Sequence, residues 1–270
     1  MVAHSELQRV ASSGWRAGLA NLLRKENRVW WNSRRWLVQS VLWTIVVSGT
    51  AALFMLAVPL LAGNSGQPLV GMDDPVGLGI ELLFKLGPMA LAIGTIVLVQ
   101  DTIIGERQLG VTEWLLSKPV SRSSYLLAKL LANGLGVLVI LVGLQGAIGY
   151  GLLWLAAGTP FPLPSYLVGM AGLAVHTLFY LALSLMMGVL TAKRPVLLGT
   201  SLGVLMGGQL FGGFLGTFIM LTPWALGGIL PVAVQGMPLP LPIGVPIGLT
   251  ALLAVGCMVV ALVRFERVDF

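Results

Sequence analysis

Six long apolar runs leave this chain one environment in which to fold. They lie at about 36–62, 78–100, 125–157, 166–191, 196–221 and 243–263. A helix needs about 20 residues to cross the hydrocarbon core of a bilayer. That core offers no water to a bare backbone, so each run must close its own hydrogen bonds as a helix. A membrane β-barrel would need short alternating segments instead, and the runs are continuous. Charged residues are 10% of the chain, against about 25% in a soluble domain, too few to cover a water-facing surface. The expected fold is therefore an all-α polytopic membrane protein, with residues 36–270 as a single six-helix transmembrane domain and 1–35 as a cytoplasmic N-terminal segment.

The formal net charge of +6 does not point to nucleic acid, because seven of the 16 basic residues precede residue 36 and most others flank apolar runs. That pattern sets topology and anchors a chain at a membrane surface. Arg9, Arg16, Arg24, Lys25, Arg28, Arg34 and Arg35 come before the first run. The loop 63–77 has no basic residue and carries Asp73 and Asp74. Arg107, Lys118 and Arg122 follow the second run, with Lys129 just inside the third; Lys193 and Arg194 follow the fourth, and Arg264 and Arg267 the sixth. The loop 158–165 and the stretch 222–242 are uncharged. Basic and non-basic loops alternate, which places both termini in the cytoplasm, Gly66 outside and Ser123 inside. The expected location is the inner membrane of a prokaryote. The first long run starts too late and is too long for the apolar core of a signal peptide. Cys257 is the one cysteine, so no intrachain disulfide or cysteine metal site is expected.

Two segments depart from plain spans. Within 15–35, Trp15, Leu19, Leu22, Leu23 and Trp30 share one helical face while Arg24, Lys25, Arg28 and Arg35 fall elsewhere. This is an amphipathic helix suited to the membrane interface, and Glu26 stands out by projecting onto its apolar side. The stretch 221–246 is apolar but broken by Pro223, Pro231, Pro238, Pro240, Pro242 and Pro246. Proline removes a donor and stops helices, so short re-entrant pieces on the outer side are expected before the last span.

The loop from Asp101 to Lys129 holds most of the interior charge. Thr112 can cap a short helix over 113–117 with Glu113 in its first turn. Pro119 ends it, and Ser121 can cap the third span. A short helix across the ends of two spans, with Glu106 and Glu113 beside Trp114, Leu115 and Leu116, has the aromatic anchor and charged rim of a docking site. Topology alone requires only Lys and Arg, so the acidic residues call for a further reason.

These residues resemble a known family. Gly105-Glu106-Arg107, Thr112-Glu113-Trp114-Leu115-Leu116, Pro119-Val120-Ser121-Arg122 and Lys129 are similar to the signature loop of ABC-2 type permeases, the membrane subunits of ABC transporters. Lys25-Glu26 in an amphipathic N-terminal helix is also similar to that family. The sharp part covers about 25 residues, and the layout covers the chain. The resemblance implies six spans, an outer helical hairpin before the last one, and a cytoplasmic coupling helix seated on an ATPase. It implies two separate ATP-binding subunits, a second permease that is another copy forming a homodimer or a related chain, and, as is usual for the layout, substrate export. Coupling positions carried over are Glu26, Glu106, Arg107, Glu113, Trp114 and Leu115, within the loop 101–124. The chain has no G-x-x-x-x-G-K-[ST] stretch, so ATP and Mg belong on the partner, and no cofactor, metal or enzyme activity is expected in this chain.

Other polar residues in the spans are fewer. Glu81 and Lys85 are spaced as a helix-stabilising pair, and intramembrane charge is also a pointer to a substrate path or gate. Asp101 reads as interface charge. His176 is either a buried, hydrogen-bonded histidine or a relay on a translocation path. Gln145 and Gln209 read as bonds between helices, and the glycines at 203, 207, 208, 212, 213 and 216 as close packing, with a dimer contact as one use. The methionines read as packing filler. Rival functions are a stand-alone secondary transporter or channel, for which paired broken helices and a mid-membrane relay would be expected, an intramembrane enzyme, for which no nucleophile–base set is present, and an ABC complex doing mechanical or cargo-transfer work.

Overall fold

The computed structural model describes residues 14–65 and 74–267. The expectations placed on Arg9, Gly66 and Asp73 lie outside the described residues. Among the described residues six helices are long and apolar enough to cross a membrane: α2 (Arg35–Leu61), α3 (Pro75–Gln108), α5 (Arg122–Ala157), α6 (Leu163–Leu190), α7 (Arg194–Leu221) and α9 (Gly244–Glu266). Three shorter helices complete the described fold: α1 (Leu19–Trp31), α4 (Val111–Leu116) and α8 (Ala225–Val234). No strand occurs among the described residues.

The six spans divide into two groups. In α3, α5 and α6 the most apolar stretch is 61, 61 and 67% buried, whereas α2, α7 and α9 bury only 17, 11 and 22%. The first three are the core of the chain and the others its outside. The core is continuous apolar packing, with Leu91, Leu126, Leu141 and Leu181 fully buried in its largest cluster. Pro88 offers no N–H to the turn before it, and α3 is wound as a π-helix there, over Leu82–Leu86.

Three local features differ from the sequence reading. First, α3 does not stop at residue 100. After a break at Gln100 it continues through Asp101–Gln108 because Ile103 and Ile104 remain buried while the charges occupy the other sides. The non-helical part of the loop is correspondingly shorter. Second, α4 begins at Val111, not at Glu113. Gly110, at φ 68°, occupies the position before it, and Thr112 is buried inside the helix rather than capping it. Ser121 does cap α5, its side chain accepting from the Ser124 N–H at 3.0 Å. Third, the last ten residues of α7, Gly212–Leu221, form a 3-10 helix with a kink at Gly216. Glycines are poor helix formers, and three of them fall in this stretch. The turn at Thr222–Trp224 then leads into α8, which buries Leu226, Leu230 and Val234 and carries Pro231 internally.

Candidate functional site

The candidate site is built where α1, the end of α3, α4 and the start of α5 meet. α1 buries Leu22, Glu26 and Trp30, which recur every fourth residue and so share one face. It packs chiefly on α5. Glu26, the acid on the apolar side, is explained by its partner. Lys129 of α5 is 1% exposed and donates to Glu26 at 3.2 Å. The same ammonium lies 2.9 Å from Glu106 of α3. Lys25 completes the set, 2.6 Å from Glu106 and 3.5 Å from Glu26. Two carboxylates thus meet two ammonium groups drawn from three helices.

Hydrogen bonds satisfy the rest of this cluster. The Tyr125 hydroxyl donates to Glu106 at 2.7 Å and lies 3.3 Å from Thr112. Trp30 donates to Asn133 at 3.0 Å, and Asn133 donates to the Lys129 carbonyl. The Tyr125 ring stacks on Phe265 of α9 with centroids 5.3 Å apart, and Arg122 donates to the carbonyls of Phe265 and Glu266. Burial pulls the Lys25 ammonium toward the neutral form, but the hydrogen bond and charge of Glu106, together with Glu26, outweigh it. Its pKa is raised above the ordinary lysine value.

The short helix α4 covers this cluster and has two unlike sides. Thr112 and Leu115 are buried, facing inward. Leu109 and Trp114 are 79% and 59% exposed, and Glu113 is exposed beside them. Lys118 lies over the Trp114 ring at 3.9 Å. The tip is therefore a small apolar surface with one acid and one base at its rim.

The six positions carried over from the signature loop thus separate. Glu113 and Trp114 are on the exposed tip. Leu115 is beneath it, Glu26 and Glu106 belong to the buried cluster, and Arg107 points to α6, where it donates to the Val189 carbonyl at 3.2 Å. Sequence reasoning missed Leu109 and Lys118 as part of the tip, and Tyr125 as the link between Thr112 and Glu106. The spacing of four between Tyr125 and Lys129 was the available signal, since it puts both on one helix face.

Glu81 and Lys85 form their expected pair at 2.9 Å, both well exposed. His176 is not with them; it is buried midway along α6. Asp101 pairs with Arg194 at 2.7 Å, tying α3 to α7. Gln145 bonds across helices to Ser48 and Thr44 of α2, whereas Gln209 lines a surface cleft. Among the described residues no group of three or more metal-ligating side chains occurs.

The described fold is thus all-helical, with six helices long and apolar enough to cross a membrane, a braced helix α1 and a short exposed helix between the second and third spans. The chain matches the family described as "ABC-2 family transporter protein" over residues 20–223 and belongs to that family. No curated protein sequence matches it.

Proposed function

We propose that this chain is the permease subunit of an ATP-driven exporter, and that α4 is its coupling helix. The observation that carries this reading is the two-sidedness of α4. Its exposed tip presents Leu109, Glu113, Trp114 and Lys118, a desolvatable aromatic with a charged rim. Its buried side rests on groups joined to α1, α3, α5 and α9. A push on the tip is thereby delivered to three spans together, which is what a coupling element must do.

The partner is an ATP-binding subunit in two copies, holding the ATP and Mg, and the permease works as a homodimer. α2 and α7 support the second copy, because they bury little within the protomer. On α7, Gly199 and Gly203 would meet nothing if given a side chain, which leaves room for close helix approach. The alternation of basic and non-basic loops supports cytoplasmic termini, in the inner membrane of a prokaryote. Lys85 lines a cleft at the opposite end from those loops, where it and Glu81 can meet a substrate leaving the membrane.

Purification from the native membrane in mild detergent, followed by mass spectrometry, tests this. The expected result is an ATP-binding protein near equal stoichiometry. A pure homo-oligomer that persists under gentler extraction would contradict it and favour a stand-alone transporter or channel.

A further inference from the structure

Among the described residues, six buried side-chain atoms have no hydrogen-bond partner, and five of them belong to α6 and α7. They are both ring nitrogens of His176 and the hydroxyls of Tyr180 and Ser184 on α6, and the hydroxyl of Ser201 on α7. His176, Tyr180 and Ser184 are spaced by four, so they line one face of α6. α6 and α7 are joined by Thr191–Lys193 alone and run antiparallel, which sets Ser201 near the level of Ser184. All four residues are 3% exposed or less.

Other buried hydroxyls behave differently. Thr95, Thr177 and Thr250 each donate to the carbonyl four residues back, and Tyr166 donates to the Gly146 carbonyl. The file on α6 and α7 makes no such bonds. The His176 ring lies beside the carbonyls of Pro88 and Pro223, yet neither nitrogen meets hydrogen-bond geometry with a protein group. The His176 and Tyr180 rings are 5.0 Å apart, so these two groups are in contact.

One end of the file is closed by Trp224. Its indole donates to the Val204 carbonyl at 2.9 Å, and its ring sits on Gly208, where a Cβ would have no room. The Trp224 side chain lies beside the Tyr180 hydroxyl without meeting hydrogen-bond geometry to it. It also lines a cleft of about 510 Å³ with Lys85, Met89 and Gln209. The indole is thus a partition between that cleft and the buried polar groups.

We propose that this file is a hydrated site inside the protomer, in which water molecules bond to His176, Tyr180, Ser184 and Ser201, and that Trp224 is the plug through which they exchange with the cleft. Buried polar groups without protein partners are costly, and a water molecule that bonds to several of them relieves that cost. Concentration of such groups in a membrane-spanning core marks a functional polar path. This reading does not depend on coupling to an ATPase.

Hydroxyl-radical footprinting of the full chain in lipid nanodiscs, with radicals made by an X-ray pulse and read by mass spectrometry, tests it. Radicals formed from bound water modify the side chains that touch it. Tyr180 should be labelled at least about tenfold faster than Tyr125, whose hydroxyl is bonded within the protein. Tyr180 as protected as Tyr125 would overturn the proposal. Trp224→Ala should speed Tyr180 labelling further; an unchanged rate would overturn the role of plug. Tyr180→Phe and Ser201→Ala supply an independent sign. In a hydrated file each lowers Tm by about 2–4 °C; in a dry one each removes an unsatisfied group and raises Tm, which would overturn the proposal.

Discussion

Glu106 and Glu113 are seven residues apart in one loop-derived segment, yet they occupy opposite situations. Glu106 is partly buried and bonded to Lys25, Lys129 and Tyr125. Glu113 is exposed on the tip of α4 beside Trp114. The first acid holds helices to each other; the second is free to meet another molecule. The difference teaches that a charged signature loop can be two devices in series, a brace and a contact surface, and that substitutions in the two should fail in different ways.

The largest effect is expected from emptying the brace. Lys129→Met leaves the buried Glu26 and the partly buried Glu106 with half their counter-charge and should cost about 3–5 kcal/mol, read as a lowered Tm and a loss of monodisperse protein. Glu106→Gln keeps the shape but gives up charge-assisted bonds; a loss of about 1.5–3 kcal/mol is expected by the same measurement. Trp114→Ala and Glu113→Lys should reverse the pattern. Stability should stay within about 0.5 kcal/mol, while affinity for the ATP-binding subunit falls by about 2 kcal/mol or more. The smallest effect is expected at the half-exposed Asp101–Arg194 pair, where Asp101→Asn should cost at most about 1 kcal/mol and less at high salt.

The pH response sharpens the same contrast. The Lys25 pKa is raised, so its contribution is complete below the ordinary lysine value and is lost as pH rises through the raised one. Thermal stability should therefore show no loss attributable to Lys25 between pH 6 and 9, about one unit or more below the ordinary lysine pKa. Its contribution should decline only under strongly alkaline conditions, and Lys25→Met should abolish that alkaline limb.

Much of this architecture was legible in the sequence, because membrane spans follow from run length alone. The six runs and the six helices agree to within a few residues except at the end of α3. There the hydropathy falls before the helix does, since Ile103 and Ile104 keep Asp101–Gln108 packed despite four charged or amide side chains. The 3-10 limb of α7 was also hidden, because an apolar run reads the same however it is wound. At the site, Glu26 was legible as an anomaly, a carboxylate on an apolar face, but its partner 103 residues away was not. Long-range pairing leaves no periodic trace. The division of Glu106 from Glu113 was invisible for the same reason: which side of a short helix is covered depends on Tyr125 and Leu115 meeting their neighbours in three dimensions.

The most direct measurement is quantitative co-purification of the ATP-binding subunit with Glu113→Lys, alongside Tm of the isolated permease. The account predicts a detached or uncoupled ATPase on a permease whose Tm is unchanged. Full retention of the subunit with unaltered ATPase activity would contradict the assignment of α4 as the coupling helix.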